Sequence, residues 1–260
     1  MSKNSVVQVN NIGMTYHRLN GEIEAIKNID FEVYQGEIVG IVGPSGCGKS
    51  TLLSIIAGLI KPSFGEVLVN GKKVAGHSED IGYMFQSDQL FEWRTILQNV
   101  LLGLEIQGNI DEKSIRAAEE LLDVYGLGDF KNNYPNQLSG GMRQRAALIR
   151  TLVVKPNLLL LDEPFSALDY QTRLAIADEV GLILKKEKKT TLLVTHDISE
   201  AISLSDRIIV LTNRPATIKD IIQIKLTCPE GTWSPINCRE APEFRYYFNK
   251  IWKELDVHVK

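Results

Sequence analysis

The chain is poor in cysteine, histidine and tryptophan and carries no large excess of either charge. Three cysteines, Cys47, Cys228 and Cys238, are too few and too oddly numbered for a disulfide framework, and a reducing compartment fits. No apolar run approaches the roughly 18 residues of a membrane-spanning helix. The opening MSKNSVVQVN lacks the apolar core of a signal peptide. Work at a membrane would therefore need another chain to span it. A formal charge of -3 lacks the basic excess of a phosphate-backbone binder, which argues against nucleic acid as a partner. Lys185, Lys186, Lys188 and Lys189 do form a basic run, at the expected end of a helix where cations favour terminal carbonyls.

What is present is a globular composition, 44% hydrophobic and 23% charged over 260 residues, enough for a sizeable core. Short β-type runs open the chain: Val6 to Val9, Ile29 to Val33 and Glu66 to Val69, set off by turn residues such as Asn10-Asn11 and Asn70-Gly71. Helical spacing marks Glu112 to Tyr125, with Asp111 as N-cap and Gly126 as stop. It also marks Met142 to Val154, with Pro156 beyond its end. Leu158 to Leu161, Thr191 to Val194 and Ile208 to Leu211 are continuous apolar runs, as expected in a parallel sheet covered on both faces. After Asn213 the pattern weakens, and only Phe244, Tyr247, Ile251 and Leu255 suggest a closing amphipathic helix.

Glu37 to Val42 reads as a strand running into Gly43-Pro44-Ser45-Gly46-Cys47-Gly48-Lys49-Ser50, followed by a helix from Lys49 to Ala57. This is the pattern G-x-x-x-x-G-K-[ST] in strand–loop–helix context. Glycines let successive N–H groups turn inward around phosphate oxygens, and the helix N-terminus adds positive potential. Lys49 is expected to reach the β- and γ-phosphates, Ser50 to coordinate Mg²⁺ and Thr51 to touch the α-phosphate. A random chain of this length would show the pattern on the order of one time in a hundred, so nucleotide binding is the expectation.

Asp162 and Glu163 follow the strand ending at Leu161. A carboxylate at the C-terminal end of a buried parallel strand lies beside the phosphate loop, which makes Asp162 the second Mg²⁺ partner. Glu163 escapes the strand and can take a proton from attacking water. His196 leaves the sheet at the same edge, and the spacing of Asp197 to Glu200 suggests a capping box for the next helix.

Leu138-Ser139-Gly140-Gly141-Met142-Arg143-Gln144-Arg145 resembles the signature of ABC ATPases. Physically, Ser139 caps a helix whose N-terminus two glycines leave bare, a second anion site in the chain. The resemblance runs from about residue 6 to 212. It implies an α/β fold with a P-loop NTPase (RecA-like) core over 1–86 and 157–212, including an N-terminal antiparallel β region, with an α-helical insert over 87–156 and a tail from 213. In that family's order Gln86 resembles the Q-loop glutamine that senses metal and γ-phosphate, Ser166-Ala167-Leu168-Asp169 the D-loop, and His196 the switch histidine. Tyr16 resembles the aromatic residue that stacks on adenine, with strand-edge packing as the alternative. The family works as head-to-tail pairs. Ser139, Gly140 and Gly141 would then complete the ATP site of a second copy, and Asp169 would signal across the interface.

The segment Gln89 to Val100, with Trp93-Arg94-Thr95 and Asn99-Val100, resembles the nitrate/sulfonate/taurine importer group. Phe91-Glu92 and Gln98 depart from that group's pattern. The resemblance implies an ATPase at the cytoplasmic face of the cell membrane, joined to permease subunits and through them to an extracytoplasmic substrate-binding protein. An exporter ATPase and a soluble non-transport ATPase are the alternatives. Phe91 and Trp93 are either anchors for a permease or core of the insert.

Overall fold

In the computed structural model, which describes residues 5–18, 21–166, 168–228 and 233–255, the apolar runs assemble into two sheets. β1 (Ser5–Arg18), β2 (Gly21–Tyr34), β4 (Phe64–Val69) and β5 (Lys72–Lys73) form an antiparallel sheet in the order β2-β1-β4-β5. The second sheet contains β3 (Ile38–Val42), β6 (Ile81–Met84), β7 (Leu158–Asp162), β8 (Thr190–Val194), β9 (Arg207–Leu211) and β10 (Ile218–Gln223). Its order is β10-β9-β3-β8-β7-β6, parallel except for β10. Every residue of β3, β7, β8 and β9 is buried, which is why these strands read as unbroken apolar runs.

Helices α1 (Lys49–Ile56), α2 (Ile96–Ile106), α3 (Glu112–Val124), α4 (Gly140–Val153), α5 (Tyr170–Lys186), α6 (Ile198–Leu204), α7 (Pro235–Cys238) and α8 (Phe244–Glu254) fill the connections. Alternation along β7 and β8 splits the core. Leu159, Leu161 and Leu193 pack with α2, α3 and α4, whereas Leu158, Leu160 and Leu192 pack with α1 and the antiparallel sheet. The expected caps are present. The Asp111 carboxylate accepts from Ser114 N at 2.7 Å, and Gly126 follows in the left-handed region at φ 66°.

The tail holds more than a closing helix. α8 lies where expected, with Ile251 fully buried against Ile202, Val210 and Ile222. β10 was not legible, because as an edge strand it buries only Ile222 and exposes Lys219, Ile221 and Gln223. The tail also holds a disulfide that the cysteine count did not suggest. Cys228 and Cys238 form a disulfide, since the chain turns back through α7 and leaves their Cα atoms 5.1 Å apart. A count of cysteines carries no information on that proximity. Cys47 remains a free, buried thiol.

One buried amide organises the segment before α2. Asn99, with no exposed surface, accepts from Phe91 N at 2.7 Å. Its Nδ2 lies 3.1, 3.1 and 3.0 Å from the carbonyl oxygens of Phe91, Arg94 and Thr95. Thr95 and Gln98 close a capping box at the same helix start. Asn99→Ala would leave these backbone groups unpaired, a cost of about 2 kcal/mol. In a chain of this size we expect the melting temperature to fall by roughly 4–8 °C, measured by thermal denaturation, with faster proteolysis at residues 91–95. An unchanged melting temperature would show that water replaces the amide.

Candidate functional site

Where β3 ends, the chain turns through Gly43 to Gly48 into α1. Gly46 and Gly48 stand at φ 71° and 128°, values that side chains rarely adopt. At Gly43 a Cβ would come within 3.0 Å of Cys47 Sγ and 3.1 Å of Leu211 Cβ. These three glycines give the loop its shape. Lys49 Nζ donates to two loop carbonyls, Gly43 O at 2.8 Å and Pro44 O at 3.0 Å. The Cys47 side chain is core, while Ser45 and Gly46 are exposed.

The parallel strands bring the remaining groups to the same edge. Ser50 Oγ donates to Asp162 Oδ1 at 3.1 Å, and Tyr83 OH reaches Asp162 Oδ2 at 3.4 Å. Burial holds the Asp162 carboxyl above the usual aspartate range and pushes the Tyr83 phenol up to about 12. A hydroxyl beside a carboxylate offers only oxygen donors. That suits Mg²⁺, which keeps several waters and shares phosphate oxygens, so the donor set fits the ion implied by the sequence.

Glu163 leaves β7 with φ 49°, and its N–H donates to Val194 O at 2.8 Å. Glu163 Oε2 accepts from Gln86 Nε2 at 3.0 Å and lies 3.2 Å from His196 Nδ1. Gln86 follows β6 by two residues, Glu163 follows β7 by one, and His196 follows β8 by two. Together with the glycine loop they line a cleft of about 580 Å³. Tyr16 OH stands 3.3 Å from Thr51 Oγ1 at its rim, so Tyr16 does reach the loop helix.

Ser139, Gly140, Gly141 and Asp169 do not line this cleft. Ser139 caps α4, accepting from Met142 N at 3.3 Å, and Asp169 caps α5, accepting from Thr172 N at 3.1 Å. A Cβ on Gly141 would lie 3.1 Å from Leu168 Cδ2, so the glycine pair adjoins the Leu168–Asp169 segment. Ala167, expected in the same segment, lies outside the described residues. Within one chain the cradle and the α4 start therefore lie apart.

Residues 26–166 match the family model for ABC transporters. This chain belongs to that family. Such a cassette is an ATP-binding subunit and an ATPase. It is 48% identical over 97% of its length to the uncharacterised ABC transporter ATP-binding protein YtlC of Bacillus subtilis (strain 168), covering 96% of that protein. It is 40% identical to the nitrate import ATP-binding protein NrtD of Synechocystis sp., over 94% of this chain and 93% of NrtD. Identity is also 40% to the aliphatic sulfonates import protein SsuB of Bacillus cereus, over 92% and 96%. Among solved structures, the dimeric post-hydrolysis state of the cassette MJ0796 bound to ADP and Pi superposes with a TM-score of 0.74. That match has 35% identity over 84% of this chain and 99% of the other.

Sequence reasoning missed several polar residues of the cassette. Tyr83 reaches Asp162 and Arg214 lines the cleft, neither belonging to a motif. A half-buried cluster of charged side chains adjoins His196. Arg173 Nη2 donates to Leu168 O at 3.0 Å and its Nη1 lies 3.6 Å from Asp197 Oδ2. Asp197 does cap α6, accepting from Ser199 N at 2.8 Å and Glu200 N at 3.1 Å. The expected reciprocal half of a capping box does not form there, because Glu200 turns inward and is buried. Burial first, then the charge of Asp197, pushes the Glu200 carboxyl up to about 8, against the opposing pull of Thr195, Arg173 and Arg239.

An unfolded glutamate titrates near 4.5, so between that pH and about 8 the folded cassette binds one more proton and loses stability as pH rises. Glu200→Gln removes the ionisation. We expect the variant to match the native protein near pH 5 and to exceed it progressively up to about pH 8, by a few kcal/mol at most. Denaturant titrations at pH 5, 7 and 9 check this; a difference independent of pH would assign Glu200 an ionised state throughout.

Proposed function

We propose that the chain is the ATP-driven motor of a membrane importer of the nitrate- and sulfonate-transporting kind, acting as a head-to-tail pair of copies. The observation that carries the ATPase half is the convergence of Gln86 and His196 on one oxygen of Glu163 at the mouth of the cradle. In this reading ATP threads its phosphates into the loop, and Lys49 exchanges the carbonyls of Gly43 and Pro44 for β- and γ-phosphate oxygens. Ser50 and Asp162 hold Mg²⁺, which when bound would neutralise phosphate charge. Thr51 meets the α-phosphate and Tyr16 the adenine.

Glu163 acts as general base. A water oxygen attacks the γ-phosphorus, the bond to the ADP oxygen breaks, and a water proton passes to the Glu163 carboxylate. Gln86 and His196 hold that carboxylate, and His196 turns its other ring nitrogen to the γ-phosphate. Ser139, Gly140 and Gly141 of one copy close over the ATP of the other, which explains two anion sites on separate surfaces. Asp169 lies beside that contact. The dimeric MJ0796 structure supports the pairing.

The transporter half rests on the 87–156 region, which we take as the helical insert that meets a permease. Phe91 and Trp93 stack with centroids 4.8 Å apart and expose 36% and 73% of their surface, which favours an interface over core. Arg143 Nε pairs with Asp88 at 3.0 Å, and Arg150 donates to the carbonyls of Asp88 and Gln89, both at 2.7 Å. The segment after Gln86 is thereby tied to the signature helix. No helix among the described residues is long and apolar enough to cross a membrane, so separate permease subunits would carry the pathway, with a substrate-binding protein outside. Placement at the cytoplasmic face rests on the ATP reaction.

Glu163→Gln is expected to retain ATP binding and lose at least about 100-fold in turnover, read by phosphate release. Equal turnover would remove Glu163 from its role. The same variant, tagged and purified in detergent with Mg-ATP, should bring a multi-spanning membrane protein with it, and Trp93→Ala should reduce that recovery. Recovery with ribosomes or DNA, and no membrane protein, would refute the importer reading.

A further inference from the structure

The glycine loop closes on itself, with Cys47 N donating to Pro44 O at 3.3 Å, and its carbonyls need partners of their own. Lys49 takes two of them, at Gly43 and Pro44. A third, Gly46 O, accepts from Arg214 Nη2. Arg214 lies well beyond the stretch 26–166 matched by the family model, in the turn joining β9 to β10. Its side chain lines the same cleft as Lys49, Gln86, Glu163 and His196. No carboxylate pairs with it among the described residues.

The turn that carries Arg214 is fixed from both sides. Thr212 Oγ1 accepts from Thr217 N at 2.9 Å, and Thr212 N donates to Thr217 O at 3.0 Å. Ala216, fully buried, is stitched to β2: its N–H donates to Ala25 O at 2.9 Å, and its O accepts from Lys27 N at 2.9 Å. The same Ala216 methyl lies 3.9 Å from where a Cβ on Gly48 would stand. The arginine is thus mounted on a rigid element packed against the back of the loop it touches.

We propose that Arg214 is a positioning residue for the nucleotide phosphates. It pins the Gly46 carbonyl, and with it the Gly46–Cys47 peptide whose N–H closes the loop onto Pro44 O at 3.3 Å, and it adds to the cradle a positive charge that remains when Lys49 moves from the loop carbonyls to the phosphates. One planar guanidinium has donors for both tasks. The ligand it serves is the phosphate chain of a nucleoside di- or triphosphate, whereas the base and ribose lie outside its effect. This rests on the ATPase reading above.

The test measures the affinity of the full-length protein for ADP, ATP and adenosine by competition with a fluorescent ATP analogue, alongside steady-state turnover. Loss of one hydrogen bond from a charged donor corresponds to about tenfold in affinity. Arg214→Ala should weaken ADP and ATP by that factor and leave adenosine unchanged. KM should rise far more than kcat falls. Arg214→Lys should recover most of the loss, and Arg214→Gln, which keeps a donor without the charge, only part. Melting temperatures of all three verify folding. Wild-type affinity for ADP in Arg214→Ala would overturn the proposal, as would equal losses for ADP and adenosine. Lys49→Ala serves as reference: if the wild type binds ADP and Lys49→Ala does not, a silent Arg214→Ala refutes this inference alone. If the wild type binds no nucleotide, the ATPase reading falls with it.

Discussion

The cleft depends on the register in which β7 is held between β6 and β8. Met84 pairs with Leu161, and Asp162 pairs with Val194. Because all three strands run the same way, their ends fall at one level, and residues one or two positions beyond each end meet. Glu163 gains its place by bonding Val194 O, the last rung of that ladder. A slip of one residue would exchange Leu159 and Leu161 with Leu158 and Leu160 between two differently packed faces, and would carry Asp162 out of reach of Ser50. The packing of four leucines therefore enforces the alignment of the polar groups.

The cradle is held through its carbonyl groups as well. Anion sites are usually described by the N–H groups that meet the ligand, yet here the carbonyl side is also occupied, by Lys49 and Arg214. The two differ in mobility. Lys49 stands on a flexible stem at the start of α1, and Arg214 on a turn bonded to β2. Farther off, Arg143 and Arg150 grip the segment after Gln86, and Arg173 joins Leu168 to Asp197. Guanidinium groups thus serve the glycine loop, the α4 helix and the segment around His196, through backbone carbonyls and the carboxylates of Asp88 and Asp197.

Much of this was legible in the residues. The glycine loop, the strand-end pair Asp162 and Glu163 and the Ser139 cap carry their chemistry in local spacing, and apolar runs give the parallel strands. What escaped was non-local. β10 alternates and covers only one side, so it has no continuous run. Cys228 and Cys238 meet because of a fold-back that spacing does not specify. Arg214 and Tyr83 act through position in three dimensions, and Glu200 reads as a helix cap because its spacing fits one, although its carboxyl turns into the interior. Phe91 and Trp93 left two readings open, and their exposure favours an interface over core.

Glu163 occupies a backbone conformation, φ 49°, that glycine or asparagine would adopt at less cost. The fold alone would prefer a different residue there. Libraries of this protein screened only for thermal endurance should drift away from glutamate at that position, while screens for turnover should hold it. The position is one where durability and activity are selected in opposite directions.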